Sequence, residues 1–98
     1  MPAYNGKRRP EKMSDEMREV VVRMKDRGYS TKEIVVIALT PRGTVNNIVL
    51  ADKDARTGNY AHLIHMYLHV SKPLARWAAR RNGVDIDVLL AQAGLESV

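Results

Sequence analysis

Residues 30–50 read STKEIVVIALTPRGTVNNIVL, and how this stretch folds decides the architecture of the chain. Ser30 and Glu33 have the spacing of a capping box, in which the serine oxygen accepts from the amide of residue 33 while the glutamate carboxylate reaches back to the amide of residue 30. Ile34, Ile37 and Ala38, with Val35 beside them, then carry the apolar period of a helix. A second start follows at once. Thr40 is placed as N-cap and Pro41 at the first helical position, where its fixed φ suits the helix and its missing N–H is no loss. Beyond them Val45, Ile48 and Val49 fall on one face of a new helix, and Asn46, Asn47 and Leu50 fall around the other. The expectation is two short helices separated by a tight turn.

On these residues the stretch resembles the helix-turn-helix of bacterial and phage DNA-binding proteins. Ile34, Val45 and Ile48 stand at the apolar places of that pattern, and Arg42-Gly43-Thr44-Val45 looks like the opening of its reading helix. Three positions depart from it: Val35 stands where alanine is usual, Leu39 where glycine is usual, and Thr40 where an apolar residue is usual. A β-branched residue at the small site is expected to push the two helices apart or to change their crossing. The resemblance implies that the second helix lies in a major groove. Arg42 would then meet guanine or a phosphate, Asn46 and Asn47 the paired donor and acceptor of adenine, and Thr44 a phosphate or a thymine methyl. Gly43 would bring the backbone close to the sugar-phosphate wall. Ser30, Thr31 and Lys32 at the start of the first helix, together with Lys53, are the expected phosphate contacts.

The rest of the chain supports a polyanion partner. Among its 98 residues Lys plus Arg number 16 against 11 Asp plus Glu, a formal charge of +5, which favours nucleic acid over an anionic membrane surface. No run of eighteen apolar residues occurs, and no apolar segment follows the charges of residues 1–9, so no membrane association is expected. With no cysteine, neither disulfides nor a thiolate zinc site is available. The expected location is the cytoplasm, associated with the nucleoid of a bacterial host.

Residues 1–13, MPAYNGKRRPEKM, have little to bury and read as a flexible basic arm. The run Gly6-Lys7-Arg8-Arg9-Pro10 is similar to the arm that precedes the helix-turn-helix in invertase-type serine recombinases. That resemblance implies that Lys7, Arg8 and Arg9 enter an A/T-rich minor groove, whose narrowness concentrates negative potential. A solvated basic tail is the alternative.

Ser14 is expected to cap a first helix, with Asp15 and Glu16 in its first turn and Met17, Val20, Val21 and Met24 as its buried stripe. Gly28 should end it, with Tyr29 folding back onto the last turn. Arg18, Arg23, Lys25 and Arg27 would lie on its polar sides, with Glu19 pairing to Arg23. Residues 52–59, DKDARTGN, read as a polar loop. Asn59 should cap a helix over 60–70 with Tyr60, Leu63, Ile64, Tyr67 and Leu68 on its apolar face. His62, His65 and His69 share the opposite face at a spacing that suits a metal, but nothing near in sequence completes a ligand set, so no metal is expected. Ser71 and Pro73 open a further helix carrying Leu74, Trp77, Ala78 and Arg81, with Arg76 and Arg80 stacked on another side. Asn82-Gly83 breaks it, and Asp85 caps a last helix with Ile86, Leu89, Leu90 and Ala93 that stops at Gly94. Residues 74–90 match the helix-turn-helix pattern better than 30–50 do, yet Asp85 and Asp87 would repel phosphates, so this hairpin is expected to serve packing or self-association, with a second reading head as the alternative.

The expected fold is all-α, with five to six short helices: a flexible arm at 1–13, a helix-turn-helix unit at 14–53, and a helical packing and dimerisation region at 54–98 with its second hairpin at 72–95. The expected function is sequence-specific binding of double-stranded DNA as a homodimer, held by Tyr60, Ile64, Tyr67, Leu68, Trp77, Leu89 and Leu90, for transcriptional repression in a phage, plasmid or other mobile element. Architectural or accessory DNA binding in recombination, packaging or partition, and a helical protein-interaction adaptor, are the alternatives. Catalysis, a cofactor and a small-molecule ligand are not expected. No Gly-rich phosphate loop is present, and Asp52, Asp54, Asp85 and Asp87 lack evident partners for acid/base or metal chemistry.

Overall fold

The longest helix, α3 (Arg42–Thr57), is packed against four of the other five helices, and the last helix packs on the two before it. The computed structural model describes residues 13–95, which form six helices and, among the described residues, no strand. The fold is all-α. Before α3 come α1 (Asp15–Asp26) and α2 (Thr31–Ala38), and after it α4 (Tyr60–His69), α5 (Lys72–Arg81) and α6 (Ile86–Gln92). Val45, Ile48, Ala51 and Ala55 line the inner face of α3 and are buried. Ala75, Ala78 and Ala79 are buried on α5, which packs on both α3 and α4, and small side chains on a packed helix face let helix backbones approach closely. Ile34 from α2, Leu63 and Met66 from α4 and Leu90 from α6 close the core. Complete burial of side chains of this size contributes about 1.5–3 kcal/mol each.

Local chemistry sets most helix ends as expected. Ser14 Oγ accepts from the Met17 amide at 3.1 Å, Ser71 Oγ from Leu74 at 3.2 Å, and Asp85 Oδ1 from Asp87 at 3.0 Å and Val88 at 3.3 Å. Gly28 takes a φ of 97° after α1, and the Tyr29 amide donates to Met24 O at 3.1 Å, the backward bond of a glycine-ended helix. The capping box of α2 is complete: Ser30 N–H donates to Glu33 at 2.8 Å and Glu33 N–H to Ser30 Oγ at 3.1 Å.

Several expectations are corrected. The buried residues of α1 are Arg18, Val21 and Val22, whereas Val20 is exposed and Met17 and Met24 are half-buried. The buried guanidinium is paired with Asp15 at 2.6 Å, and its aliphatic stem contributes to the covered face. Glu19 does not pair with Arg23. It accepts instead from Arg81 Nε at 2.8 Å and Trp77 Nε1 at 3.2 Å on α5. Thr40 does not cap α3, because its hydroxyl is buried and donates to Ala38 O at 2.9 Å, which leaves Pro41 in the cap position without a side-chain bond.

The largest correction is at residues 52–59. No loop begins at Asp52; α3 continues to Thr57, and Gly58, with a φ of 84°, ends it by donating its N–H to Asp54 O. Asp52 and Asp54 belong to the interior, at 4 % and 2 % exposure. Asp52 accepts from Arg81 Nη1 at 3.0 Å, Asn82 Nδ2 at 2.9 Å and Arg56 Nη1 at 3.4 Å, and Asp54 accepts from Asn59 Nδ2 at 3.3 Å and contacts His62 Nδ1. Carboxylates so satisfied can be buried without an unpaired charge. The expected division at 53/54 therefore falls inside a helix. Asn59, with its side chain turned to Asp54, precedes α4 without capping it.

Candidate nucleic-acid interface

Between α2 and α3 the chain turns through 115°, using only Leu39, Thr40 and Pro41. Leu39 makes the turn. It adopts φ 53° and ψ 43°, its N–H donates to Val35 O, and the following Thr40 N–H reaches the same oxygen at 3.2 Å. That left-handed conformation is what glycine supplies freely, and in an L-residue it costs about 1–2 kcal/mol. Leucine nevertheless occupies it with 88 % of its surface exposed, so no burial offsets the strain. Ile34, Val45 and Ile48 are buried beneath the turn, and Val35 is half-buried there.

Of the four residues expected to read bases, the structure keeps two on the outer face of α3. Arg42 and Asn46 are exposed, as is Gly43, and Leu50 and Lys53 continue the same stripe at helical spacing. Thr44 and Asn47 do not belong to it. They are half-buried and line a groove of about 640 Å³, shared with Thr40, Pro41, Val70 and Ser71. The reason is angular: steps of 100° from Asn46 carry residues 44 and 47 toward the packed side and residues 50 and 53 back toward solvent.

The phosphate set is also redistributed. Ser30 spends its hydroxyl oxygen and its amide on the capping box, which leaves Thr31 and Lys32 as the open groups at the start of α2. Lys25 joins them from α1, donating from Nζ to Thr31 Oγ1 at 3.3 Å. Lys7, Arg8 and Arg9 lie outside the described residues.

Side-chain pairing divides the cations into two groups. Arg76, Arg80 and Arg81 of α5 each lie within 4.0 Å of a carboxylate, from Asp87, Asp15, and Glu19 with Asp52. Arg76 also donates to Tyr67 Oη at 2.9 Å. The Arg81 guanidinium is raised above its ordinary pKa, first by its hydrogen bond to Glu19 and then by the charge of Asp52, against the opposing effect of burial. A raised basic group contributes its stability throughout the range below its unfolded pKa, so neutral and acidic pH leave this arginine charged. By contrast, Arg23, Lys25, Lys32, Arg42 and Lys53 on α1 to α3, Arg27 just after α1, and Lys72 at the start of α5 have no carboxylate within that distance among the described residues, whereas Arg18 and Arg56 are paired with Asp15 and Asp52. This division is invisible in sequence, because the decisive partners Asp15–Arg80 and Asp52–Arg81 are remote along the chain.

The expected dimer residues separate in the same way. Tyr67, Trp77 and Leu90 are buried within the single chain, with Trp77 turned toward Glu19 of α1, and have little surface to offer a second copy. Tyr60 and Leu68 are exposed, and Ile64 and Leu89 are half-buried. On the other face of α4 the rings of His62 and His65 lie 5.8 Å apart and those of His65 and His69 4.7 Å apart, but no group of three or more ligating side chains among the described residues converges to hold a metal ion. No single helix among the described residues is long and apolar enough to cross a membrane. Comparison with models of known families, with curated proteins and with solved structures found no match.

Proposed function

We propose that the chain binds double-stranded DNA through α2 and α3 and acts as a small transcriptional regulator, a repressor that works by occupying its site. The observation that carries this reading is the coincidence of shape and charge on α3. A helix entered through a 115° turn fits the geometry of a helix-turn-helix unit, in which the second helix lies in a major groove. Its outer stripe carries Arg42, Asn46 and Lys53, while both carboxylates of α3 face inward. On this reading Arg42 and Asn46 contact bases, and Thr31, Lys32, Lys25 and Lys53 contact phosphates. A second copy would be held by the stripe of exposed Tyr60 and Leu68 and half-buried Ile64 on α4, so that two reading helices meet successive major grooves of a palindrome.

The test is selection of bound sites from random duplex DNA, followed by binding of the enriched duplex at several salt concentrations. A motif with half-sites about one helical turn apart is expected, with affinity that falls linearly on a log–log plot against salt. Salt-sensitive binding without an enriched motif would replace regulation by an architectural role. A second reading, a protein-interaction adaptor, draws on the exposed apolar group Val36, Ile37 and Leu39 at the end of α2. It requires that no salt-dependent duplex binding be seen.

A further inference from the structure

We infer that Leu50 is a specificity-determining residue that reads the C5-methyl group of a thymine; the inference rests on the proposed placement of α3 in a major groove. Leu50 stands on the outer stripe of α3 between Asn46, one turn before it, and Lys53, about one turn after it. It is 39 % exposed, and it is the large apolar side chain on a stripe whose other long members, Arg42, Asn46 and Lys53, are polar or cationic. The stripe is free of like charge toward DNA, because Asp52 and Asp54 are turned into the interior and hydrogen-bonded there. With a guanidinium, an amide and an ammonium around it to meet phosphates and base edges, the exposed part of this one leucine is the part of the stripe that gains by meeting an apolar group. On a major-groove edge the apolar group is the thymine methyl. A leucine there also disfavours cytosine, whose amino group would be left without an acceptor. Four residues along a helix advance about 6 Å, close to two base-pair steps of about 3.4 Å, so the thymine lies about two pairs from the base that Asn46 contacts.

The experiment uses the unaltered protein and the duplex enriched by selection, with each thymine in turn replaced by deoxyuridine, which removes the methyl group and leaves the hydrogen-bonding edge intact. One position per half-site is expected to weaken binding by about three- to five-fold, the effect of one buried methyl-sized group. In Leu50→Ala, checked for retained helical circular dichroism, thymine and uracil at that position should bind alike. Indifference of the unaltered protein to uracil at every thymine overturns the inference while leaving DNA reading intact, as does a Leu50→Ala variant that keeps the full thymine-to-uracil ratio. Absence of binding to any duplex at low salt overturns both this inference and the reading on which it rests.

Discussion

Leu39 is a residue whose conformation conflicts with its chemistry. The turn requires a left-handed residue between α2 and α3, and a leucine supplies it at a cost of about 1–2 kcal/mol with nothing buried in return. Leu39→Gly removes that strain but gives the unfolded chain more freedom, which takes back about 0.5–1 kcal/mol. The net expectation is a gain of about 0.5–1 kcal/mol, a rise in melting temperature of about 2–8 °C for a domain of this size. Thermal unfolding followed by circular dichroism checks it, and a lowered melting temperature would mean that the leucine makes a stabilising contact. Arg81 is the opposite case, since its guanidinium joins Glu19 on α1 to Asp52 on α3 and leans over Trp77 at 5.9 Å. Arg81→Met keeps much of the side-chain volume and leaves Asp52 with only Asn82 and the longer bond from Arg56. Removing one partner of a buried pair costs about 3–5 kcal/mol, and the two remaining donors should reduce this to about 2–3 kcal/mol in a urea titration.

Elements whose own side chains terminate or pattern them were legible in the sequence; those defined by distant partners were not. The Ser30–Glu33 box, the glycine after α1 and the Ser71 cap are contained within a few residues, and local spacing reveals them. The second half of α3 is different. Asp52, Lys53 and Asp54 together look like a solvated loop until Arg81, Asn82, Asn59 and His62 are brought to the two carboxylates, and none of those donors can be assigned before the helices are packed. The rotation of α1 was hidden for the same reason, because Arg18 reads as a polar-side residue until Asp15 and the groove beside α3 are seen to receive it. In the candidate interface, the apolar anchors and the polar outer face with Asn46 and Leu50 were legible, but angular position moved Thr44 and Asn47 off the stripe and brought Lys53 onto it. The buried alanines of α5 give these packing claims a test. Ala75→Leu inserts a large side chain into that packed face and should destabilise by at least about 1–3 kcal/mol, whereas Ala61→Leu on the exposed side of α4 should change the denaturation midpoint little.

Over the whole molecule, a net charge of +5 conceals two unlike halves. The arginines of α5 each lie within 4.0 Å of a carboxylate, Arg81 partly buried and Arg76 and Arg80 at the surface, so part of their charge is met locally. On α1 to α3, Arg23, Lys25, Lys32, Arg42 and Lys53 have no carboxylate within 4.0 Å among the described residues, so on the proposed reading their charge is open to an approaching polyanion. The difference converts into salt dependence. A cation that neutralises a phosphate releases counterions, so its removal lowers the slope of log affinity against log salt by about one for each protein copy bound. Lys53→Ala should therefore flatten the slope and weaken binding across all duplexes, while preserving the preferred sequence. Arg80→Ala should leave the slope unchanged, since its charge is already met by Asp15 at 2.6 Å, and the loss of that surface pair should cost no more than about 1 kcal/mol in stability. Asn46→Ala should leave the slope intact and relax the preference at one base pair, since an amide reads an edge but releases no ion. Fluorescence anisotropy at four or more salt concentrations separates these three responses. Equal slope changes for Lys53→Ala and Arg80→Ala would show that the positive charge acts diffusely rather than through the α3 face.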